Sequence, residues 1–432
     1  MKKVLFLEWK NYIVKKKRKQ KRLSLLQKKW IYAIIILLVY LFGRSLPIFT
    51  VPLNESVQKA YLGQSLLESM ASVSGMQIKS ITVFSLGLSP WMSSVIIWRV
   101  VGLLKVLRTD RLTAEQSTNY QTILMFVIAL LQSIALTANS AFVPIFAGDY
   151  GKLFAHITTI IMMVAGTFVL TWLGSMNSEY GMGGYIIIML VNMLLSFITL
   201  LYTFFSSTYL STPLLIAVII GIIAVAVAIM MMTIFIYRGQ YRIPLRSMSI
   251  HNDFMAKTYL PIPANPAGGM PAMYGMTLMT LPVLIFQLLS SSFPKSDFLK
   301  FMSANVSIRT YTGAIIYIIL LWFLTIGFSY INMDPEDIAF KMKKNGEYID
   351  GIYSGVETER FLRKKISIFA KFGAAFIVLV CGVPTFISVA YPEYASISTL
   401  FSYIFIVTSL MFTVIEQVSI LRISKKYSQV LD

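Results

Sequence analysis

The residue types that most often carry chemistry are sparse in this chain. It has one cysteine, Cys381, and two histidines, His156 and His251, which lie far apart in sequence. One thiol excludes both an intrachain disulfide and a metal cluster held by several thiolates. Each histidine is interpreted as a loop or interfacial residue, and no run has the G-x-x-x-x-G-K-S/T spacing of a phosphate-binding loop. We therefore expect no catalytic residue, no cofactor, no metal and no nucleotide hydrolysis in the chain itself.

The elements that surround these residues are predicted to be membrane-spanning helices. Of the 432 residues, 56% are hydrophobic and 13% are charged, which is about half the charged fraction of a soluble domain. A bilayer core about 30 Å thick needs roughly 20 apolar residues per helix, and continuous apolar runs favour helices over a barrel. Ten spans are predicted, near residues 31–50, 82–106, 120–143, 154–174, 183–205, 213–237, 266–290, 312–331, 366–390 and 397–421.

The basic residues fall mainly on one side of these spans. The formal net charge of +19 could indicate nucleic-acid binding, but 29 of the 38 Lys and Arg residues lie on the side of the N-terminus and 7 on the other. This asymmetry predicts cytoplasmic termini and no nucleic-acid partner. The predicted segments are a basic N-terminus (1–30), a first half (31–205), a second half (213–421) with long polar loops at 238–263 and 332–365, and a tail (422–432). The long loops are either topology signals or a docking surface.

The second span of each predicted half is interrupted. Two halves of five spans must be inverted relative to each other. The first half has Ser85–Met92, SLGLSPWM, and the second has Asn265–Met273, NPAGGMPAM, with Pro282 further on. Proline removes a backbone donor, so these helices should bend or start late. Glycine and proline are common in membrane helices, but interruptions in matching positions of inverted halves indicate a transport pathway. The half-apolar segment at 61–80 is either a surface loop or a short re-entrant helix.

Runs that occur in order along the chain resemble signatures of the SecY family. Ile81–Arg99 (ITVFSLGLSPWMSSVIIWR) is similar to the second-span signature, and Ala165–Gly183 resembles A-G-T … W-L-G-E … G-I-G-N-G. Arg242–Pro244 and Tyr259–Pro271 are similar to R-I-P … Y-L-P-L-K-x-N-x-A-G-V-I-P, and Pro335–Ala339 to the N-P-E-E-I-A run before the ninth span. The resemblance implies an all-α membrane protein with ten transmembrane helices in two inverted halves of five around a central pore, and it implies a protein-conducting channel.

Departures from the family pattern indicate which branch of the family the chain resembles. Tyr353 stands where the family has the arginine of an R-P-G run, Ser175 replaces the glutamate of W-L-G-E, and Gly184 replaces the asparagine of G-N-G. Leu400 and Phe401 replace a glycine pair in the tenth span. The pattern resembles the accessory SecY paralogue of Gram-positive bacteria. That resemblance implies a multi-pass protein of the bacterial cytoplasmic membrane that exports unfolded polypeptides, namely serine-rich glycosylated adhesins. Its implied partners are an accessory SecA-type ATPase, SecE-like and SecG-like small subunits, and membrane lipid.

The resemblance also assigns residues to the channel. It implies a pore ring of apolar side chains, which blocks hydrated ions by dewetting, a plug at residues 61–76, a lateral gate to lipid and a motor-docking site. The ring consists of Leu88, Met92, Ile186, Leu190, Met273 and Ile406, the polar gate residues are Ser93, Ser94 and Gln132, and the docking residues are Arg242 and Arg246. Each ring residue could equally serve in helix packing, and the gate residues could equally hydrogen-bond between helices.

Other functional classes are compatible with parts of the pattern. A housekeeping SecY for general secretion would share the fold. An ion-coupled secondary transporter would also have inverted halves and broken helices, but it should carry acidic residues within its spans, and the predicted spans contain only Glu416. A membrane enzyme would need a cluster of His, Asp or Glu near one interface, which the sequence lacks. The sequence does not exclude a scaffold or insertase that has no pore.

Overall fold

The fold is seen in a computed structural model that describes most of the chain. It describes residues 25–51, 81–103, 112–137, 142, 144, 150–207, 212–247, 259–293, 295–307, 310–391 and 395–431. The predicted plug at 61–76 lies outside the described residues, as do residues 248–258 of the first long loop.

Long helices dominate the described residues. They are α1 (Leu25–Ser45), α2 (Ser89–Leu103), α3 (Ala114–Thr137), α4 (Tyr150–Glu179), α5 (Gly184–Ser207), α6 (Thr212–Arg238), α7 (Met270–Ser292), α8 (Asp297–Asn305), α9 (Tyr311–Asn332), α10 (Pro335–Asn345), α11 (Val356–Ile377), α12 (Val383–Ala390) and α13 (Ala395–Leu431). A π-helical turn, Val378–Gly382, joins α11 to α12.

Nine helical segments among the described residues are long and apolar enough to cross a membrane. The all-α membrane architecture is therefore confirmed. The remaining predicted span, 82–106, contains α2, which has 15 residues in the part that the structure describes. A count of ten spans stays a prediction, because α2 by itself is shorter than the roughly 20 residues that a crossing needs.

The helix α7 lies at the centre of the molecule. It packs against α2 and α3 on one side and against α9 and α13 on another. One contiguous apolar cluster includes buried side chains from all of these helices except α3, and also from α1, α4 and α5. Because the bilayer itself is apolar, such contacts are held by close packing and by a few interhelical hydrogen bonds.

The two interrupted spans begin in the same way. A glycine in the left-handed region, Gly87 (φ 56°) or Gly268 (φ 66°), turns the chain, and a proline follows three positions later as the second residue of α2 or α7. A side chain would strain this backbone conformation, while proline at the first turn removes a donor that has no partner in a helix. Both helices therefore start late, as the prolines predicted, and both share the spacing Gly-x-x-Pro-x-Met.

The two long loops of the second half form one structure. Strand β1 (Gln240–Pro244) pairs antiparallel with β3 (Tyr259–Pro263), and β2 (Arg246–Ser247) pairs with β4 (Glu347–Tyr348) of the other loop. Side chains from both loops share an apolar core that includes Ile243, Ile262, Met342 and Ile349. We call residues 240–247, 259–263 and 335–366 the loop module. The sequence predicted two separate loops and did not indicate that they join.

Candidate pore and gate

The six predicted ring residues all belong to the central apolar cluster or pack against it. They are contributed by the turn before α2, by α2 itself and by α5, α7 and α13. Leu88, Met92, Leu190, Met273 and Ile406 are buried within the central apolar cluster, and Ile186 is half-buried and packs against it. Hydrated ions pay a large desolvation penalty in such an apolar contact, whereas flexible side chains can move apart. An apolar cluster with flexible side chains is compatible with the predicted ring, which stays a prediction.

Two of the ring residues occupy equivalent positions in the two halves. Met92 and Met273 each end a Gly-x-x-Pro-x-Met run. One turn after Met273, the hydroxyl of Thr277 donates to the carbonyl of Met273 at 3.0 Å and lies 3.8 Å from the sulfur of Met92. The repeated late start thus brings both methionines to the contact between α2 and α7.

Ile406, the predicted ring residue of the tenth span, lies in a helix that lacks the glycine pair of the family pattern. Leu400, at one of the two departing positions, is fully buried, and Ile406 is 0% exposed. Further along α13, Ser409 lies 2.6 Å from the hydroxyl of Tyr237 on α6, and Gln417 accepts a hydrogen bond from the backbone of Gly183 at 3.2 Å. These polar contacts fix α13 against α6 and the start of α5.

A buried polar patch lies where α2 and α3 meet α7. Gln132 donates from Nε2 to Ser89 Oγ at 3.0 Å. Within the part of the chain that the structure describes, Gln132 Oε1 and Ser93 Oγ have no hydrogen-bond partner. Thr277 and Thr280 on α7 are also buried. Ser94 differs from the other predicted gate residues, because its hydroxyl donates to the Trp91 carbonyl of its own helix at 2.8 Å.

Contacts at the start of α7 were not predicted from the sequence. Asn332 donates to the Pro266 carbonyl at 3.0 Å, and Asn265 donates to the Gly268 carbonyl at 2.9 Å. A Cβ on Gly269 would overlap the hydroxyl of Ser409. Adjacent glycines such as Gly268 and Gly269 are a signal for close approach of another element, but they do not indicate which helix approaches.

The predicted docking residues lie in the loop module, apart from the ring. The guanidinium of Arg242 lies 4.7 Å from the centre of the Tyr259 ring, and Arg246 forms an ion pair of 2.9 Å with Asp350. The side chains of that pair are 64% and 63% exposed, so the pair adds little to stability. Tyr353, at the family's arginine position, is 81% exposed and is available for contact with a partner.

Side chains that could bind a metal do not cluster in the described part of the chain. Among its residues, no group of three or more His, Cys, Asp or Glu side chains could hold a metal ion. Glu416, the acidic residue that falls in a predicted span, is exposed on the surface of the protein. The features that remain are an apolar cluster, a buried polar patch beside it and a basic loop module.

Comparison with known proteins agrees with this architecture. The family model described as SecY matches residues 82–419. A relative from Streptococcus parasanguinis, named accessory Sec system protein translocase subunit SecY2, is 36% identical over 97% of this chain and 100% of its own length. A relative of the same name from Streptococcus pneumoniae serotype 4 is 30% identical over 94% of this chain and 98% of its own.

Solved structures share the fold at low sequence identity. A structure titled "The structure of a protein conducting channel" matches with a TM-score of 0.66 and 16% identity over 94% of both chains. Sec61 in the canine ribosome–channel complex matches with a TM-score of 0.63 and the same identity and coverage. The resemblance seen in the motifs, including that to the accessory paralogue, is thereby confirmed. The chain belongs to the SecY family.

Proposed function

We propose that this chain is the central channel subunit of a protein translocase and conducts unfolded polypeptides across the membrane. The observation that supports the proposal is that the six predicted ring residues, from both halves of the chain, belong to one apolar cluster or pack against it. A polypeptide presents side chains of every size and charge, so a conduit for it needs a seal that adapts in width. Methionine is unbranched and flexible, and two of the six ring residues are methionines.

We further propose that the channel serves an accessory export system in a bacterial cytoplasmic membrane, with both termini inside. The names of the relatives support this role, and the basic residues support the orientation. The substrates would be serine-rich glycosylated adhesins. A SecA-type ATPase would supply the energy, and SecE-like and SecG-like subunits would complete the complex.

Deletion of the gene tests the export role. Secretion of serine-rich adhesins should fall to background, while total secreted protein stays near the parental level because a separate general pathway persists. Quantitative measurement of both fractions from the same cultures decides the matter. A general secretion defect would instead identify the housekeeping channel.

The buried polar patch supports a lateral gate at which α2 and α3 face α7 and α9. An interhelical hydrogen bond in a membrane contributes only about 0.6–2 kcal/mol, so the contact of Gln132 with Ser89 can break when a hydrophobic segment enters. A photoreactive residue at Gln132 should crosslink to the hydrophobic segment of a stalled substrate. The same residue at Ile123, which is 60% exposed on α3, should crosslink to lipid. Equal substrate crosslinking at the two positions would overturn the gate assignment.

Arg246 is expected to contribute to motor docking through its charge. Arg246→Ala and Asp350→Ala break the same ion pair, but only the first removes the cation. We expect Arg246→Ala to weaken binding of the accessory motor by about tenfold, equivalent to about 1.4 kcal/mol, and Asp350→Ala to leave it unchanged or tighter. Binding of the purified motor to reconstituted channel measures both. Equal losses would mean that the pair acts only by shaping the loop module.

A further inference from the structure

The short helix α8 has an aromatic side that no described part of the protein covers. Phe298 and Phe301 on α8 are 62% and 60% exposed, and Phe293 just before the helix is 60% exposed. No residue of α8 is fully buried. Contiguous exposed aromatic surface of this kind marks a contact with another phase or another molecule.

The position of α8 restricts what that contact is. The helix lies between α7 and α9, and both belong to segments long and apolar enough to cross a membrane. Nine residues of helix extend only about 13 Å, so α8 cannot itself cross a bilayer core about 30 Å thick. Because α7 ends at Ser292 and α9 begins at Tyr311, α8 is confined to the level where those two helices leave the membrane. This is the end of α7 opposite the loop module.

Side chains divide α8 into three sectors, since successive residues are rotated by about 100°. Met302 packs against the cluster formed by Val283 of α7 and Val306, against which Phe286 of α7 also packs. By this rotation Phe298 and Phe301 lie about 60° apart on one flank, and Lys300 lies about 160° from Phe298 on the other. Ala304 lies about 40° from Lys300, at the edge of that second flank. One flank is thus aromatic and the other is exposed with a charge, which is the pattern of a helix lying in a membrane–water interface.

The orientation of α8 is fixed by the protein. Ser296 caps its start by accepting a hydrogen bond from the backbone of Leu299 at 3.5 Å. At its end, Thr312 donates to the Asn305 carbonyl at 2.7 Å, and the Thr310 hydroxyl lies 2.6 Å from the same oxygen. A Cβ on Gly313 would overlap the Ser307 carbonyl, so the chain turns tightly into α9. The aromatic flank therefore keeps a set direction relative to α7 and α9.

We propose that α8 lies in the membrane–water interface with Phe298 and Phe301 inserted among the lipids, and so anchors the outer end of α7. The occupant of the aromatic flank is the bilayer surface. Transfer of the phenylalanine rings from water into the apolar part of the bilayer lowers the free energy. Lys295 and Lys300 are exposed and able to reach anionic headgroups. Tyr311 adds a further exposed aromatic ring at the same level.

Spin labelling of the full chain in vesicles of phosphatidylcholine and phosphatidylglycerol tests the proposal. Cys381 is fully buried, so the parent protein measures the background labelling. Nitroxides are placed at Phe298→Cys and Phe301→Cys, with Lys300→Cys and Ala304→Cys as matched controls on the other flank. The ratio of collision with oxygen, which concentrates in lipid, to collision with a polar nickel complex is expected to be several-fold higher at 298 and 301 than at 300 and 304.

Three outcomes would overturn the assignment. Ratios at 298 and 301 as low as those at 300 and 304 would place the aromatic flank in water. Labels at 298 and 301 that neither reagent reaches would indicate a protein contact, and spin–spin broadening that grows with protein density would indicate a second copy. If a cysteine variant fails to fold, Phe298→Trp and Lys300→Trp are compared with lipid-attached bromine as quencher. The quenching of the parent protein, which has six tryptophans, is subtracted from each.

Discussion

Simultaneous replacement of Met92, Ile186 and Met273 by glycine is expected to turn a sealed channel into an ion leak. These side chains come from α2, α5 and α7 and meet in the central apolar cluster. Their removal leaves a gap that water can enter, and a wet gap no longer excludes hydrated ions. A fall of only about 1.4 kcal/mol in the barrier raises an ion flux tenfold, so we expect at least about a tenfold rise. Single-channel recording on purified protein in planar bilayers measures it.

A matched variant separates this effect from general destabilisation. Ile220, Met231 and Met411 have the same side-chain types, and they are 62%, 66% and 44% exposed on the outer surface of the helices. Their replacement by glycine weakens helices to a similar degree but opens no gap in the cluster. If the first variant conducts no better than the second, the ring assignment fails and the six residues are ordinary packing residues.

Gly166→Ala is expected to be among the most destabilising single substitutions in the chain. Gly166 lies in α4, and a Cβ there would overlap the main-chain carbonyl of Val83. That carbonyl cannot easily retreat, since the Val83 amide donates to the Leu46 carbonyl at 3.3 Å and the Ile48 amide donates to the Ile81 carbonyl at 3.2 Å. Overpacking against such a site destabilises by about 1–3 kcal/mol. We expect a lower Tm. We also expect a channel that leaks ions, because a shift of Val83 would displace the following segment that contains the predicted ring residue Leu88.

Gly221→Ala provides the control for this prediction. Gly221 also lies in a membrane-spanning helix, α6, but a Cβ there meets nothing within 4 Å. Alanine is the better helix former by about 1 kcal/mol, so the Tm should stay equal or rise. Thermal unfolding of both variants in the same detergent compares them. An unchanged Tm for Gly166→Ala would show that the segment before α2, which contains Val83, can move away without loss of stability.

The repeated Gly-x-x-Pro-x-Met run places a predicted ring residue at the same position in the two halves. In both runs the left-handed glycine and the proline delay the helix, and the methionine therefore falls in its first turn. A continuous helix would place these side chains at an ordinary packing position along its length. Late starts instead bring the ends of α2 and α7 together, where Thr277 touches both methionines.

The sequence alone determined the membrane architecture, the late helix starts and the family. Length and apolarity of a span are local properties set by the thickness of the bilayer, and the effects of Pro90 and Pro271 follow from the chemistry of proline itself. The resemblance to the family implies the six ring residues, and all of them belong to the central apolar cluster or pack against it. That they form a pore ring stays a prediction.

Only the tertiary structure decided which faces meet. In a soluble helix, apolar periodicity marks the inner face, but here lipid and neighbouring helices are equally apolar, so periodicity carries no such signal. The contact of Gly269 with Ser409 and the hydrogen bond of Ser94 to its own helix therefore could not be predicted from the sequence. The pairing of Arg246 with Tyr348 joins loops that are distant in sequence, and strands of two residues leave no pattern that could have predicted it.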